Sequence, residues 1–448
     1  MRRIVFGALT IAFTSVIGAA GAGAQSFEQL SDGVKEYVAV SEPVVVLTHV
    51  RVIDGTGAPA ASDQTVVIEN GRITAVGPAA SVAAPAGARV MDLTGHTVLP
   101  GFVGLHDHTF YTTPGRSVQS DFSAPRLYLA SGVTTIRTTG SVSPYSEIAL
   151  KRDIELGREP GPRMEITGPY LTGEGASSGM AAITTPEEAR RVVNYWADEG
   201  ATWLKFYTTI SREAMKATID QAHQRGLELT GHLCSVGYRE AVSFGIDNLE
   251  HSMLANSEWD ANKKPDECPQ TAMGSLMSVD IASDDVQRTI RAMVDNGVAL
   301  TTTPAVFELF VKGRPPIQQR VMDAMSGETR DEYMRSREQI ASSPTGGLPE
   351  SLLLKSLAFD KAFMEAGGLL AAGVDPTGNG GALFGFGDQR NCELLIEGGF
   401  TPPEAVRIMS LNGAKVLGMD GDIGSIEAGK KADLMVIRGD PAAQAADI

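Results

Sequence analysis

The sequence is short of cysteine, of basic charge and, past its first twenty residues, of long apolar runs. Only three cysteines occur in 448 residues, Cys234, Cys268 and Cys392, and none are spaced C-x-x-C. That speaks against a thiolate zinc site and a thioredoxin-type redox site, and it allows one intramolecular disulfide at most, with one thiol left over. Spacing does not choose the pair. Lys and Arg number 38 against 54 Asp and Glu, a formal charge of −16. Such a balance argues against nucleic acid or anionic lipid as the main partner. With 43% hydrophobic and 21% charged residues, no internal repeat and no low-complexity tract beyond the leader, the composition is that of a folded globular chain.

The one long apolar stretch is at the start. Arg2 and Arg3 precede a run from Ile4 to Ala20, and Ala22-Gly23-Ala24 supplies a small-x-small cleavage pattern, which places the cut before Gln25. A membrane span takes about 20 strongly apolar residues, more than this run contains. Residues 1–24 therefore read as a signal peptide, and the mature chain is expected in a bacterial periplasm or secreted, with no membrane span. Loss of the two arginines takes the formal charge from −16 to −18.

Residues 43–100 read as short strands joined by turns. VVVL at 44–47 and VRVI at 50–53 lead to Asp54-Gly55, and TVVI at 65–68 meets Asn70-Gly71, a strong hairpin signal. The pattern predicts a small antiparallel layer. From residue 101 short β runs alternate with helical stretches, at 102–105, 134–138, 163–167, 203–207, 228–231, 247–250, 298–302 and 369–374. Helical patterns at 186–199, 212–225 and 284–296 fill gaps between them, stopped by Gly200, Gly226 and Gly297. Eight such units in about 300 residues predict an α/β fold, a (β/α)8 TIM-type barrel at 101–420. A small β-sandwich domain would be built from 25–100 and 421–448. Residues 303–349, with Pro315-Pro316 and a helical pattern at 317–340, form an insertion placed to act as a lid.

The histidines carry the chemistry. Of seven in the chain, His106, His108, His232 and His251 each follow or end a predicted barrel strand. Lys205 lies in the fourth strand and Asp375 ends the eighth. Barrel enzymes place catalytic groups at these C-terminal strand ends. In H-x-H the two side chains point the same way, so His106 and His108 can grip one ion. Imidazole suits zinc and similar metals, and a carboxylate adds compensating charge. The other histidines read differently: His223 as a packed or capping residue inside a helix, His49 and His96 as structural or surface groups. Asp107 points away from a site that its neighbours face, and Cys234 reads as buried packing. Arg137, Tyr170, Tyr207 and Tyr238 follow or end strands at the same mouth and are candidates for substrate contact. The glycine-rich run 378–387 reads as a mobile loop; it lacks the lysine of a phosphate-binding loop.

PGFVGLHDH, GATWLKFYTT, LELTGH, GIDNLEHS, AAGVD and the terminal LNGAKVLGMDGDIGSIEAGKKADLMVI resemble the amidohydrolase superfamily, in the binuclear branch with a modified lysine that includes prolidase-like and imidazolonepropionase-like members. The resemblance covers 43–437. It implies two divalent metal ions, with zinc the favoured choice. His106, His108 and Asp375 would hold one, His232 and His251 the second, and Lys205, carboxylated by CO2, would bridge them. A metal-bridging hydroxide would then attack a carbonyl, with Asp375 as proton carrier. The implied function is hydrolysis of an amide bond in a small molecule, a dipeptide or N-acyl amino acid. A lactone, carbamate or phosphotriester is the alternative on the same site. Deaminases of this superfamily typically use one metal and no strand-four lysine, so Lys205 argues against deamination. Every ligand position is filled, which argues against a non-enzymatic binding protein. Relatives usually carry a further β segment at the C-terminus, so the layer at 421–448 is expected to be incomplete. A homo-oligomer is left open.

Overall fold

The structure is a computed structural model and describes residues 26–177, 179–344 and 347–448. The expected signal peptide, 1–24, lies outside the described residues. Among the described residues no helix is long and apolar enough to cross a membrane.

Eight parallel strands stand in chain order as a ring: Phe102–Asp107, Val133–Thr138, Arg163–Thr172, Trp203–Phe206, Glu228–Gly231, Asn248–Glu250, Ala299–Thr302 and Leu370–Ala372. They are the first to eighth barrel strands below. The first strand, FVGLHD, is buried at every position, because a barrel covered by helices buries both strand faces and removes the apolar–polar alternation. The ring is drawn shut between the eighth and first strands. Asp375 N donates to His106 O at 2.8 Å, and a Cβ at Gly373 would stand 2.2 Å from His106 N, so only glycine permits this approach.

The return helices bury one stripe each. Asp284–Asp295 buries Val286, Ile290 and Met293, and Ser283 caps it by accepting from Val286 N. Each of those burials stabilises by roughly 2 kcal/mol. Asp284 and Asp285 lie at the positive end of this helix. Gly297 follows it at φ +68°.

A second sheet has six strands, five from 44–100 and one, Leu434–Arg438, that returns to pair antiparallel with His96–Pro100. The Asn70-Gly71 hairpin forms with both residues at positive φ, 50° and 75°. The sheet is mixed rather than antiparallel. After the crossover at 79–88 the chain runs back alongside Val44–Val52, so Arg89–Asp92 and His96–Pro100 both pair with it in parallel.

Two local expectations are corrected. The third barrel strand runs on to Thr172, because Tyr170–Thr172 gains a parallel partner in Met180–Ala182. The single helical pattern at 317–340 is two helices, Gln319–Ala324 and Gly327–Ser342, split where Ser326 caps the second by accepting from Thr329 N. A hairpin, Phe110–Thr113 with Arg116–Gln119, precedes the first return helix. Arg116 ties it to Glu332 at 3.1 Å, so the insertion lies against the first-strand loop.

Candidate metal centre

The six side chains singled out at the strand ends converge on the C-terminal mouth. His106, His108 and Asp375 bring one potential ligand atom each within 4.8 Å of one another, all buried, and can hold a metal ion together. His108 Nε2 lies 3.4 Å and His106 Nε2 3.7 Å from the Asp375 carboxylate. The His251 ring centroid is 4.5 Å from that of His106 and 4.4 Å from that of His232. Lys205 is buried beside them, and its charge acts on His106, His232 and His251.

The rings are aimed by their other nitrogens. His106 Nδ1 meets Glu250 Oε2 at 2.8 Å, His108 Nδ1 meets Gly140 O at 3.1 Å, and His251 Nδ1 meets Thr303 Oγ1 at 2.7 Å. For His106 and His108 the partner can only accept, so Nδ1 carries the proton and the Nε2 lone pair is free. Burial, with the Lys205 charge, pushes His232 down to about 4. Burial also drives His106 and His251 well below the ordinary value. These three are therefore neutral imidazoles at neutral pH, the form that donates to a cation. Burial would raise Asp375, but His106, His108 and Lys205 outweigh it and hold the carboxyl well below its usual range. Burial lowers Lys205 to about 8.

Backbone conformation contributes to this aim. His251 has φ +67°, Ser252 +56° and Asp375 +48°, the left-handed region that β-branched and bulky residues avoid. Each turn re-points a side chain as its strand ends. At His251 the turn is braced by Tyr238 Oη, 2.8 Å from Glu250 O and 2.6 Å from Ser252 O.

Two of the four proposed substrate contacts are corrected. Arg137 is wholly buried below the histidines: Nη2 donates to Glu250 Oε1 at 2.7 Å and Asn248 Oδ1 at 2.9 Å, and Nε to Leu105 O at 3.0 Å. It lies inside the barrel because Glu250 and Asn248 supply the acceptors a buried guanidinium needs. Tyr238 is spent on the backbone around His251 and is fully buried. Tyr170 and Tyr207 do border the centre. Tyr170 Oη is 3.3 Å from His108 Nε2, and Tyr207 packs against the Tyr170 and His232 rings, at 5.4 and 5.1 Å.

His223 pairs with Asp247 at 3.0 Å and His49 with Asp63 at 2.8 Å, both remote from the mouth. Asp107 faces away, its Oδ1 accepting from Val374 N at 3.1 Å. Cys234 is more than packing: it is bonded to Cys268, and Cys392 is free and buried. The glycine-rich loop is tied down at Gly381, whose N donates to Tyr111 Oη at 2.7 Å.

The sequence reading missed Glu250, Thr303 and the Gly140 carbonyl. A signal for Glu250 existed. It is a carboxylate inside a strand buried on both faces, and such a charge needs a partner.

The model of the amidohydrolase family matches residues 97–448. Among solved structures, a Bifidobacterium longum protein given the name prolidase superposes with a TM-score of 0.67 at 26% identity, over 90% of this chain and 91% of that one. A Xaa-Pro dipeptidase with bound methionine gives 0.65 at 19% identity, over 90% and 96% of the two chains. Among curated relatives, the 5-methylthioadenosine/S-adenosylhomocysteine deaminase of Symbiobacterium thermophilum is 22% identical over 83% of this chain and 80% of its own. With a match spanning the barrel and the returning sheet strand, the chain belongs to the amidohydrolase family and is a hydrolase.

Proposed function

We propose that the protein is an exported binuclear amidohydrolase that cleaves the amide bond of a dipeptide or N-acyl amino acid. The observation that carries the reading is the cluster itself: buried imidazoles and a carboxylate gathered at one mouth, with His106, His108 and Asp375 within 4.8 Å of one another. This mixed nitrogen and oxygen donor set fits a borderline divalent cation such as zinc. His106, His108 and Asp375 would hold one ion, His232 and His251 the other. Lys205, as its carbamate, would bridge them. Its lowered pKa supports that modification, because only the neutral amine adds CO2. When bound, the ions acidify water and polarise the scissile carbonyl.

The chain's own groups supply the rest. Asp375 Oδ takes a proton from the attacking water and passes it to the leaving nitrogen. Tyr170 and Tyr207 line the rim and orient the acyl part. Phe307, from the insertion, packs on His251 at 5.6 Å, which supports a lid that limits water access. The Cys234–Cys268 disulfide supports export, since such bonds persist in oxidising compartments.

The deaminase name of the Symbiobacterium thermophilum relative favours a second reading, release of ammonia from an aminopurine. Lys205 inside the centre weighs against it. A screen separates the two: dipeptides and N-acyl amino acids, assayed for new primary amine, beside aminopurine nucleosides assayed for ammonia, and lactones and phosphotriesters assayed for acid. Amine release from the first group supports the proposal. Turnover confined to any of the others refutes it.

A further inference from the structure

We propose that the Cys234–Cys268 disulfide positions the His232–His251 half of the centre, so that its loss empties that half and leaves the His106–His108–Asp375 half loaded. The inference rests on the reading that His232 and His251 hold an ion.

The argument starts from one short segment, 232–238. It begins with His232, carries Cys234 two residues later, and ends at Tyr238, whose hydroxyl braces the carbonyls on either side of His251. Both histidines of the second half therefore depend on where this segment sits. The segment has no regular structure until the helix Tyr238–Phe244. It is fastened to the excursion that follows the sixth strand by the covalent link to Cys268, 34 residues on. Lys263 Nζ adds a bond to Ser235 O at 2.6 Å, and Ser257 Oγ donates to Cys234 O. Around Cys268 the partner excursion is exposed at 264–267. Without the disulfide, the link between this segment and the Cys268 excursion falls to the Lys263 and Ser257 bonds, while Ser235 keeps its bonds to Thr208 O and Ile210 O.

The other half is braced differently. His106 and His108 lie on or just past the first strand, held by Glu250 and Gly140, and Asp375 is bound through its backbone to His106. Of these braces only Glu250 touches 232–238, through its main-chain carbonyl and Tyr238 Oη; its carboxylate, which holds His106, is anchored by Arg137. Cys392 is buried in the helix Phe386–Glu397, its thiol pushed up by burial, and offers a control.

The reductive form of the perturbation balances simply. A trialkylphosphine breaks the sulfur–sulfur bond and leaves as phosphine oxide with the oxygen of one water, whose two protons end on the two cysteine thiols.

The test compares zinc-supplemented full-length wild type, Cys392→Ala and the double variant Cys234→Ala/Cys268→Ala by metal analysis. The expected counts are about two ions per chain in the first two proteins and about one in the double variant, with the second ion regained only at raised zinc. A general loss of fold would lower both ions together. Two tightly held ions in the double variant overturn the proposal, whereas fewer than two in wild type overturn the reading beneath it. Should the double variant fail to fold, phosphine is added to folded wild type with a chromogenic zinc chelator. Release of about one equivalent upholds the inference, and release of none or of both defeats it.

Discussion

Replacing Glu250 with glutamine tests how the centre is aimed. Glu250 is wholly buried, with Oε2 2.8 Å from His106 Nδ1 and Oε1 2.7 Å from Arg137 Nη2. Glutamine keeps the volume, and its one oxygen can still accept from Arg137. Its amide nitrogen must then face His106 Nδ1 as a donor. The imidazole answers by moving its proton to Nε2, which withdraws the lone pair aimed at Asp375 and the ion. Loss of such an outer partner costs about 10–100-fold in metal affinity, or about 1.4–2.7 kcal/mol at 1.36 kcal/mol per decade. Arg137 also loses its counter-charge. Breaking a buried pair typically costs about 3–5 kcal/mol, and the low end applies here because Asn248 and the Leu105 carbonyl still accept from Arg137. Competition with a zinc-binding dye measures the first effect, and urea unfolding of the metal-free protein measures the second. Metal affinity within twofold of wild type, at unchanged stability, would refute the reasoning.

Three further expectations follow from individual side chains. Tyr238→Phe removes the brace at His251 and should lower stability by about 1 kcal/mol while reducing kcat more than KM; a variant that differs only in KM would point back to substrate contact. Lys205→Ala should abolish activity, with partial recovery in formate or acetate, and full activity without them would remove the bridging role. Glu147 is held up at about 8 by burial, against an ordinary value of 4.5. Its folded pKa is raised, so its contribution is complete below 4.5 and is lost as pH climbs towards 8, by up to about 1.4 kcal/mol per pH unit. Urea midpoints at pH 5 and pH 8 should therefore fall further for wild type than for Glu147→Gln; equal falls would show that the carboxyl is already ionised.

The barrel was readable because its strands advertise themselves. The first strand's FVGL is apolar without alternation, and Gly200, Gly226 and Gly297 stop the helices between strands. The strand ends can then be read directly, and they carry His106, His108, Lys205, His232, His251 and Asp375. What sequence did not reveal is direction. Arg137 and Tyr238 sit at strand-end and loop positions that look alike in one dimension. Their side chains are drawn inward by Glu250, Asn248 and the carbonyls beside His251, all distant in the chain or exposed only by a left-handed turn. The disulfide was hidden for the same reason. Three cysteines allow three pairings, and only the meeting of two loops chooses Cys234 with Cys268. The parallel pairings in the smaller sheet depended on a crossover that hairpin signals do not report.

The central claim is that these strand-end groups hold two cations through a modified lysine. Anomalous X-ray scattering at the zinc edge, from crystals grown with zinc and bicarbonate, tests it directly. The account predicts two peaks per chain, one among His106, His108 and Asp375 and one against His232 and His251, with density continuing past Lys205 Nζ to reach both. A mouth without anomalous signal, or a single peak beside an unmodified Lys205, would contradict it.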